Sequence, residues 1–465
     1  MSLSGSYETK DGQTPSGPVQ ATAGRAFEGS IKESTERLEA TPDGPRPYTT
    51  YQVQGTVSQY QKVTGTAGNL SLEAQTREGV QVGFEAKVPS GQQGVPNPFE
   101  PDSMAPGSSV TFTDQALISR QYGASYNLVN RPYVTSYENP LAEGQTRNAT
   151  AGVFAQGKVT DSAGVAIGVE KLNDTTMRVS VGSIEGVKNE ATFGGQAEVA
   201  GLARLRGGVT NERALTEYHL DTRDFDLSTP GGRQAYEDFI NPLSGRAGVL
   251  PDHDPANGVR AGTVDSLKVT NENSAFVDAK IGNFTAKGGL TLSSADGTVK
   301  ITHSPDGTSS VSRSARFGDQ GVQVDRTFAA DGAEDVSKRQ YTSLLHDLPQ
   351  GGAQGTVLAF TMDDRWANSM MTRGRQDVQM TFTQADIDRL QEQARQNPRF
   401  QDTGSFANQI GTAQDPGHVA LSFVRGTGRD ALPWDLAYLA VDSGQPVPGR
   451  ATLVDRNTGL KTRVP

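Results

Sequence analysis

Leu70-Ser71-Leu72-Glu73-Ala74, then Arg77-Glu78-Gly79, then Val80-Gln81-Val82-Gly83-Phe84-Glu85-Ala86-Lys87-Val88 read as two arms and a turn of a β-hairpin. In the second arm Val80, Val82, Phe84, Ala86 and Val88 fall on one side, and Gln81, Glu85 and Lys87 on the other. Successive side chains of a strand point to opposite faces, so a period of two marks a strand with one face buried. The same alternation recurs from Asn69 to Asp331, punctuated by Gly, Asp and Asn. The fold expected is β-rich α+β. Large antiparallel sheets (a meander, a sandwich or a barrel-like closure) carry a few short helices, mainly in the C-terminal third.

Working outward, residues 1–47 are rich in Ser, Thr, Gly, Pro and Glu and hold few large apolar groups. They are expected to form a disordered tail, with a short helix over 26–40 suggested by the seven-residue spacing of Ile31 and Leu38. An antiparallel β domain is expected over 48–335. Seven prolines between Pro89 and Pro140 predict an irregular 89–150 connection, with short edge strands near 110–112 and 122–129. A second β block runs from Val153 to about Leu227. Within it every second residue from Phe193 to Val209 is apolar or Gly, so a straight strand there would exceed about 50 Å and must bend or break. Thr229 followed by Pro230 starts a helix whose apolar stripe is Ala235, Tyr236, Phe239 and Ile240, and Asn241-Pro242 stops it. Residues 243–263 read as a loop. A third block, 274–328, is expected to turn at the Asp-Gly pairs 296–297, 306–307 and 331–332. The last region, 336–465, reads as α+β. Thr383 to Asp386 resembles a capping box, flanked by Phe382 and Ile387 as a staple. A strand is expected over 418–424 and a short helix near 434–439.

The chain has 465 residues, with 53 Gly, 24 Pro and 34% hydrophobic content, which suits many short elements with thin cores. The net charge of −10 disfavours nucleic acid and anionic lipid as partners of the whole surface. Arg204 and Arg206 are the one local basic pair weighed against that, and read as a solvated strand face. Cysteine is absent, which excludes disulfides, thiolate metal sites and cysteine nucleophiles. No run approaches a membrane helix, and Met1 to Gln13 lacks the pattern of a Sec signal, so an exported form is expected to use a specialised secretion route or to leave as a fragment of a larger chain.

Five histidines exist, and none has helical zinc spacing. The strongest catalytic grouping is Glu217-Tyr218-His219-Leu220-Asp221. On a strand Glu217, His219 and Asp221 share one side, so either carboxylate can polarise the imidazole for proton transfer. A solvated strand face is written with the same letters. Asp252-His253-Asp254-Pro255-Ala256-Asn257 resembles a cation loop, with Asp252, Asp254 and Asn257 as the oxygens that calcium would take. Its spacing departs from the EF-hand, and a turn-rich acidic loop is the plainer reading. No other cofactor is expected. Asp224 and Asp226 form an Asp-x-Asp at a helix start, where acidic residues favour the dipole in any case. Gly426-Thr427-Gly428 lacks the βαβ setting of a dinucleotide loop. Trp366 and Trp434 read as core anchors. Asn69, Asn148, Asn173 and Asn283 lie in N-x-S/T triplets, at the number chance supplies, so no glycosylation is inferred.

Glu217 to Asp221 followed by Asp226-Leu227-Ser228-Thr229-Pro230-Gly231-Gly232-Arg233-Gln234-Ala235-Tyr236 resembles stretches of large bacterial secreted proteins of the polymorphic-toxin type. There, Gly/Ala-rich alternating strands run into an acidic strand and a Thr-Pro-Glu-Gly-Arg helix start. The resemblance covers about residues 150–245, has Gly231-Gly232 in place of a Glu, and carries no catalytic residue across. It implies a secreted effector or toxin-associated scaffold. The function expected is non-enzymatic, acting on a protein partner or a membrane. The membrane version is disfavoured because the 153–209 face is Gly, Ala and Val without an aromatic girdle. The alternatives are a carboxylate-dependent hydrolase of cell-wall or glycan substrates and an adhesive surface protein.

Overall fold

A computed structural model describes residues 2–13, 19–34, 36–67, 70–92, 94–127, 152–191, 197–199, 203–205, 211–241, 244, 248–271, 275–281, 284–292, 295–424 and 428–465. The strands are β1 (Ser2–Gln13), β2 (Val19–Glu33), β3 (Arg37–Thr41), β4 (Gly44–Ala67), β5 (Leu70–Pro89), β6 (Ser109–Asn127), β7 (Gly152–Lys171), β8 (Thr176–Ala191), β9 (Ala197–Val199), β10 (Ala203–Leu205) and β11 (Asn211–Asp226). After helix α1 (Pro230–Ile240) come β12 (Val259–Asn271), β13 (Ala275–Ile281), β14 (Phe284–Leu292), β15 (Ala295–His303), β16 (Ser309–Phe317), β17 (Gln320–Phe328) and β18 (Gln340–Leu348). The chain ends with α2 (Gln350–Thr361), α3 (Asp364–Ser369), β19 (Gln376–Thr383), α4 (Gln384–Gln396), α5 (Phe406–Thr412), α6 (Pro416–Ser422), α7 (Gly428–Ser443), β20 (Arg450–Asp455) and β21 (Lys461–Val464).

Seventeen of these strands form one antiparallel meander, β1-β2-β4-β5-β6-β7-β8-β11-β12-β15-β16-β17-β18-β19-β20-β21, with β3 added to the start of β4. The pairs β9/β10 and β13/β14 stand apart as small ribbons. Strand β4 has 24 residues, about 80 Å at ~3.3 Å per residue, against the usual five or six. The meander coils until its early strands face its late ones. Lys32 and Gln52 from β2 and β4 line the same cavity as Lys268 and Thr298 from β12 and β15. At one end the coil is fastened by side chains. The Gln379 amide donates to the Thr41 carbonyl (2.9 Å) and accepts from the Thr41 N–H (3.1 Å), and Arg456 reaches Glu36 at 2.5 Å.

Such tight coiling leaves no room for Cβ atoms at certain inner positions. A Cβ on Gly164 would lie 1.8 Å from the Asp114 carbonyl oxygen of the paired strand, on Gly182 1.9 Å from that of His219, and on Gly79 2.3 Å from that of Val57. Glycine at these sites permits the close backbone approach that sheet curvature demands. Here the expected hairpin over 70–88 is corrected. Arg77-Glu78-Gly79 lies inside β5, and Gly79 serves the approach of β4 rather than a turn.

Other expectations are corrected by the same sheet. Residues 2–13, 19–33 and 37–41 are strands, so the disordered tail and the 26–40 helix are replaced by β1, β2 and β3. Ala23, Arg25, Phe27, Gly29 and Ile31 carry the period of two that pairing with β4 exploits. Residues 109–127 are one continuous central strand, since the prolines fall outside it; the prolines at 132 and 140 lie outside the described residues. Asp296-Gly297 sits within β15 paired to β16, not at a turn, whereas Gly307 and Gly332 do take left-handed turn geometry (φ 84° and 83°). Strand β12 begins at Val259, inside the expected loop. Of the alternating stretch 193–209 only 197–199 and 203–205 are described, as two short antiparallel strands in which Val199 opposes Ala203; the rest lies outside the described residues. Residues 416–422 form α6, not a strand: Asp415 caps Pro416 at the first helical position, and Val419, Ala420 and Leu421 are buried.

Two apolar cores lie on the outside of the coil. The larger packs α2 and α4–α7 on Val322, Val324, Tyr341, Val378, Met380 and Phe382 of β17–β19. Thr383 and Asp386 cap α4 reciprocally, with Phe382 and Ile387 both fully buried beside them. The smaller core sets Tyr236 and Phe239 of α1 on Val169, Met177, Val179, Phe225 and Val259. Thr229 Oγ1 caps α1 by accepting from the Gly232 N–H at 3.1 Å, and the buried Tyr236 hydroxyl donates to the Pro98 carbonyl at 2.7 Å.

Candidate functional site: an acidic outer strip, an apolar belt and a polar lumen

On β11 the odd residues Glu217, His219 and Asp221 point outward, as a two-residue period requires. His219 Nδ1 lies 2.8 Å from Asp265 Oδ1 on β12, and its Nε2 lies 3.3 Å from Glu217 Oε1. Asp265 Oδ2 is 3.4 Å from His303 Nε2 on β15, and His303 Nδ1 is 2.8 Å from Ser309 Oγ on β16. Asp221 is one step along the same face and joins none of these contacts. Sequence reasoning missed Asp265, His303 and Ser309, because their approach depends on strand register: His219 opposes Asp265, and Thr263 opposes His303.

This row holds a Ser, two His and two carboxylates, but it lies on an open strand face. The His219 side chain is 45% exposed, and none of these groups lines either cavity described below. A proton-transfer pair needs a reacting group held beside it and water excluded, and the open face supplies neither. What the row does is tie strands. The hydrogen bond that His219 donates to the Asp265 carboxylate comes first in raising the His219 pKa above its ordinary 6.5, with Glu217 and Glu185 adding to it. A histidine with a raised folded-state pKa contributes stability that is complete below about 6.5 and lost as pH rises through the folded value. The urea midpoint of the native chain is therefore expected to exceed that of His219→Gln at about pH 5.5 and to match it at about pH 9. A gap of equal size at both pH values would refute this tie.

The other sequence candidates are spent locally. Asp254 accepts from Asn257 N (3.3 Å) and Asn257 Nδ2 (2.6 Å), capping a short 3-10 turn, and Asp252 is exposed and apart. Among the described residues no group of three or more His, Asp or Glu is arranged to hold a metal. Asp224 makes a bidentate pair with Arg178 (2.6 and 2.7 Å), and Asp226 accepts from Ser228. Trp366 and Trp434 pack against the larger core. Residues 425–427, and Arg206 of the basic pair, lie outside the described residues.

Next to the acidic strip the outer face is apolar. Three cross-strand rows run over β2, β4, β5, β6 and β7. Ile31, Val53, Phe84, Phe112 and Ile167 are successive partners, as are Phe27, Val57, Val80, Ala116 and Ala163; Val82 and Val165 flank Asp114 between them. Phe27, Ile31, Val53, Val57, Val80, Val82, Phe112, Val165 and Ile167 are exposed, Val57 and Val82 the most. The rows continue onto β8 and β11 as Ser183, Glu185, Glu217 and His219, where the belt becomes the acidic strip.

The inner face is the reverse. Two contiguous cavities of about 820 and 520 Å³ share Lys32, Gln52, Glu85, Lys87, Lys268 and Thr298. The Tyr218 hydroxyl within is pushed up to about 12 by burial, with Glu85 adding to it. A sheet usually turns its apolar face to the core. Over β4–β7 the exterior is apolar and the interior polar.

No protein-family model, curated protein or solved structure matches this chain.

Proposed function

We propose that the chain is a non-enzymatic binding protein, a secreted bacterial effector or toxin-associated scaffold, whose working surface is the outer apolar belt. The observation that carries this reading is the contiguous exposure of nine large apolar side chains on paired strands. Apolar patches of this kind mark interaction sites, whereas scattered apolar residues do not. The absence of cysteine and the resemblance over 150–245 support delivery outside the producing cell.

The partner is a protein with an apolar centre and a basic rim. Complementarity argues for the rim: Asp114 lies within the belt, and Glu185, Glu217, Asp221 and Asp265 border it in a chain of net charge −10. The dimensions argue against a bilayer. Three rows two residues apart span about 14 Å, against about 25 Å for the apolar band of a membrane barrel. Five strands are about 20 Å across, a patch suited to the core of a protein interface. Repulsion between like charges disfavours a second copy. A hydrolase would need the His219 row in a cleft, and it lies in the open.

The test places a photoreactive amino acid at Val82 or Val165 in the full chain, irradiated in its native producing and recipient cells. One protein adduct is expected at both positions, absent when the probe replaces Lys461, weakened by Val57→Glu and by rising salt. Adducts only to lipid, only to a second copy, or equally at all three positions would overturn the reading.

A further inference from the structure

We propose that the lumen binds an acidic oligosaccharide. The larger cavity is lined by five cations, Lys32, Lys87, Lys268, Lys300 and Arg178, against two carboxylates, Glu85 and Glu170. The chain as a whole carries −10. Positive charge is thus gathered in the larger cavity, while the smaller one adds Glu36, Glu39 and Asp319 against Arg37 and Arg316, and Glu185, Glu217 and Asp265 face outward. A low-dielectric wall focuses such a field on the enclosed space.

Two of the five cations are spent. Arg178 is held by Asp224, and Lys87 lies 2.6 Å from Glu39 and over the Tyr48 ring at 4.6 Å. Lys268 and Lys300 make no ion pair among the described residues. They sit on adjacent strands two registers apart, Lys268 opposite Thr298 and Lys300 opposite Ser266 and Ser312. Neither Glu85 nor Glu170, the two carboxylates of this cavity, pairs with these two ammonium groups, so their like charges repel across adjacent strands and an anionic ligand relieves that repulsion.

The rest of the wall selects among anions. Gln54, Gln81, Gln115, Thr111 and Thr113 offer groups that both donate and accept, which is what sugar hydroxyls need. Tyr218 adds a ring and a hydroxyl that stays neutral. A cavity of about 820 Å³ suits several sugar rings rather than one phosphate ion. An acidic peptide is less suited, because peptide grooves use a free strand edge or apolar pockets, and these walls are paired strands. Single-stranded nucleic acid wants a series of stacking rings, and Tyr218 is the one lining the larger cavity besides Phe84.

Calorimetric titration of the full chain tests this, using hexagalacturonate, a heparin hexasaccharide, neutral cellohexaose, tripolyphosphate and hexaglutamate. One of the acidic sugars is expected to bind at least tenfold more tightly than cellohexaose, tripolyphosphate or hexaglutamate. The double variant Lys268→Gln/Lys300→Gln should lose at least tenfold for that sugar and show a shallower salt dependence, with an unchanged circular dichroism spectrum. Gln81→Leu should weaken the sugar but not tripolyphosphate, and Lys461→Gln should change neither. The proposal fails if neither acidic sugar binds, if the double lysine variant binds undiminished, if tripolyphosphate matches the sugar (a bare anion site), or if hexaglutamate binds best.

Discussion

Gly182→Ala is expected to destabilise the protein by about 3 kcal/mol, the upper part of the usual range for overpacking a closely fitted site. The added methyl would fall 1.9 Å from the His219 carbonyl oxygen and 2.9 Å from Leu220 Cα. Both are backbone atoms of the paired strand, so no side chain can swing aside. Relief requires β8 and β11 to separate, which stretches ladder hydrogen bonds between Leu220 and Gly182 and their neighbours. Gly55→Ala is the control. Gly55 lies on the outer face of β4 with nothing within 4 Å of the new Cβ, and alanine there should stabilise by a few tenths of a kcal/mol through the unfolded chain. Urea midpoints of the two variants read the comparison directly. Equal behaviour would mean that the coil is not drawn tight at its inner glycines.

The contrast between these glycines explains what the sequence could and could not carry. A period of two is a local property, and it places a strand at Val165-Ala166-Ile167-Gly168-Val169, where alternation is strong. It says which residues share a face. It does not say which face is inside, because that depends on how the sheet closes. Alternation predicts a buried apolar side for β5, and Ala86 and Val88 are buried, yet Val80 and Val82 on that side are exposed while Gln81 and Glu85 line the lumen. Glycine misled in the same way. Gly79 and Gly297 look like turns by composition, but one accommodates the neighbouring backbone and the other is a ladder residue. Low hydrophobic content predicts disorder for the N-terminal segment but does not register strand pairing. The segment's cost of ordering is offset by pairing along fifteen residue positions of β4, a partner distant in sequence.

The candidate site was half legible for related reasons. Glu217 and His219 were grouped from one strand, and both are in the outer row. Asp265 and His303, which complete it, are 46 and 84 residues away from His219 in a chain whose register is set by long strands and not by short turns. Asp254 and Asn257 were near enough for a cation loop, but the same proximity lets them bond each other. The lysines of the lumen gave no signal at all. Lys268 and Lys300 stand in ordinary alternating segments, and only the coiling of the sheet turns them toward one space.

Phe382→Ala should cost about 4 kcal/mol, within the 3–5 kcal/mol typical of removing a buried phenyl group. Phe382 is fully buried at the end of β19, stacked on Phe423 at 5.0 Å and tilted against Phe360 at 6.0 Å. It also packs beside the Thr383–Asp386 cap, so the void would open where strand, capped helix and α2 meet. Trp366 and Trp434, the two tryptophans of the chain, border this core and no other, so their fluorescence reports on it selectively. The smaller core around Phe225 and Tyr236 shares no residue with it, and the two are joined through the strand ladder β12-β15-β16-β17-β18. A ladder of backbone hydrogen bonds transmits less cooperativity than a shared apolar core, since its bonds can be exchanged for water locally. The tryptophan transition of Phe382→Ala is therefore expected to move to lower urea by the full 4 kcal/mol equivalent, while the far-ultraviolet signal of the long strands keeps a second transition near its native midpoint. Coincident transitions shifted together would show instead that the coiled sheet and its helical layer unfold as one unit.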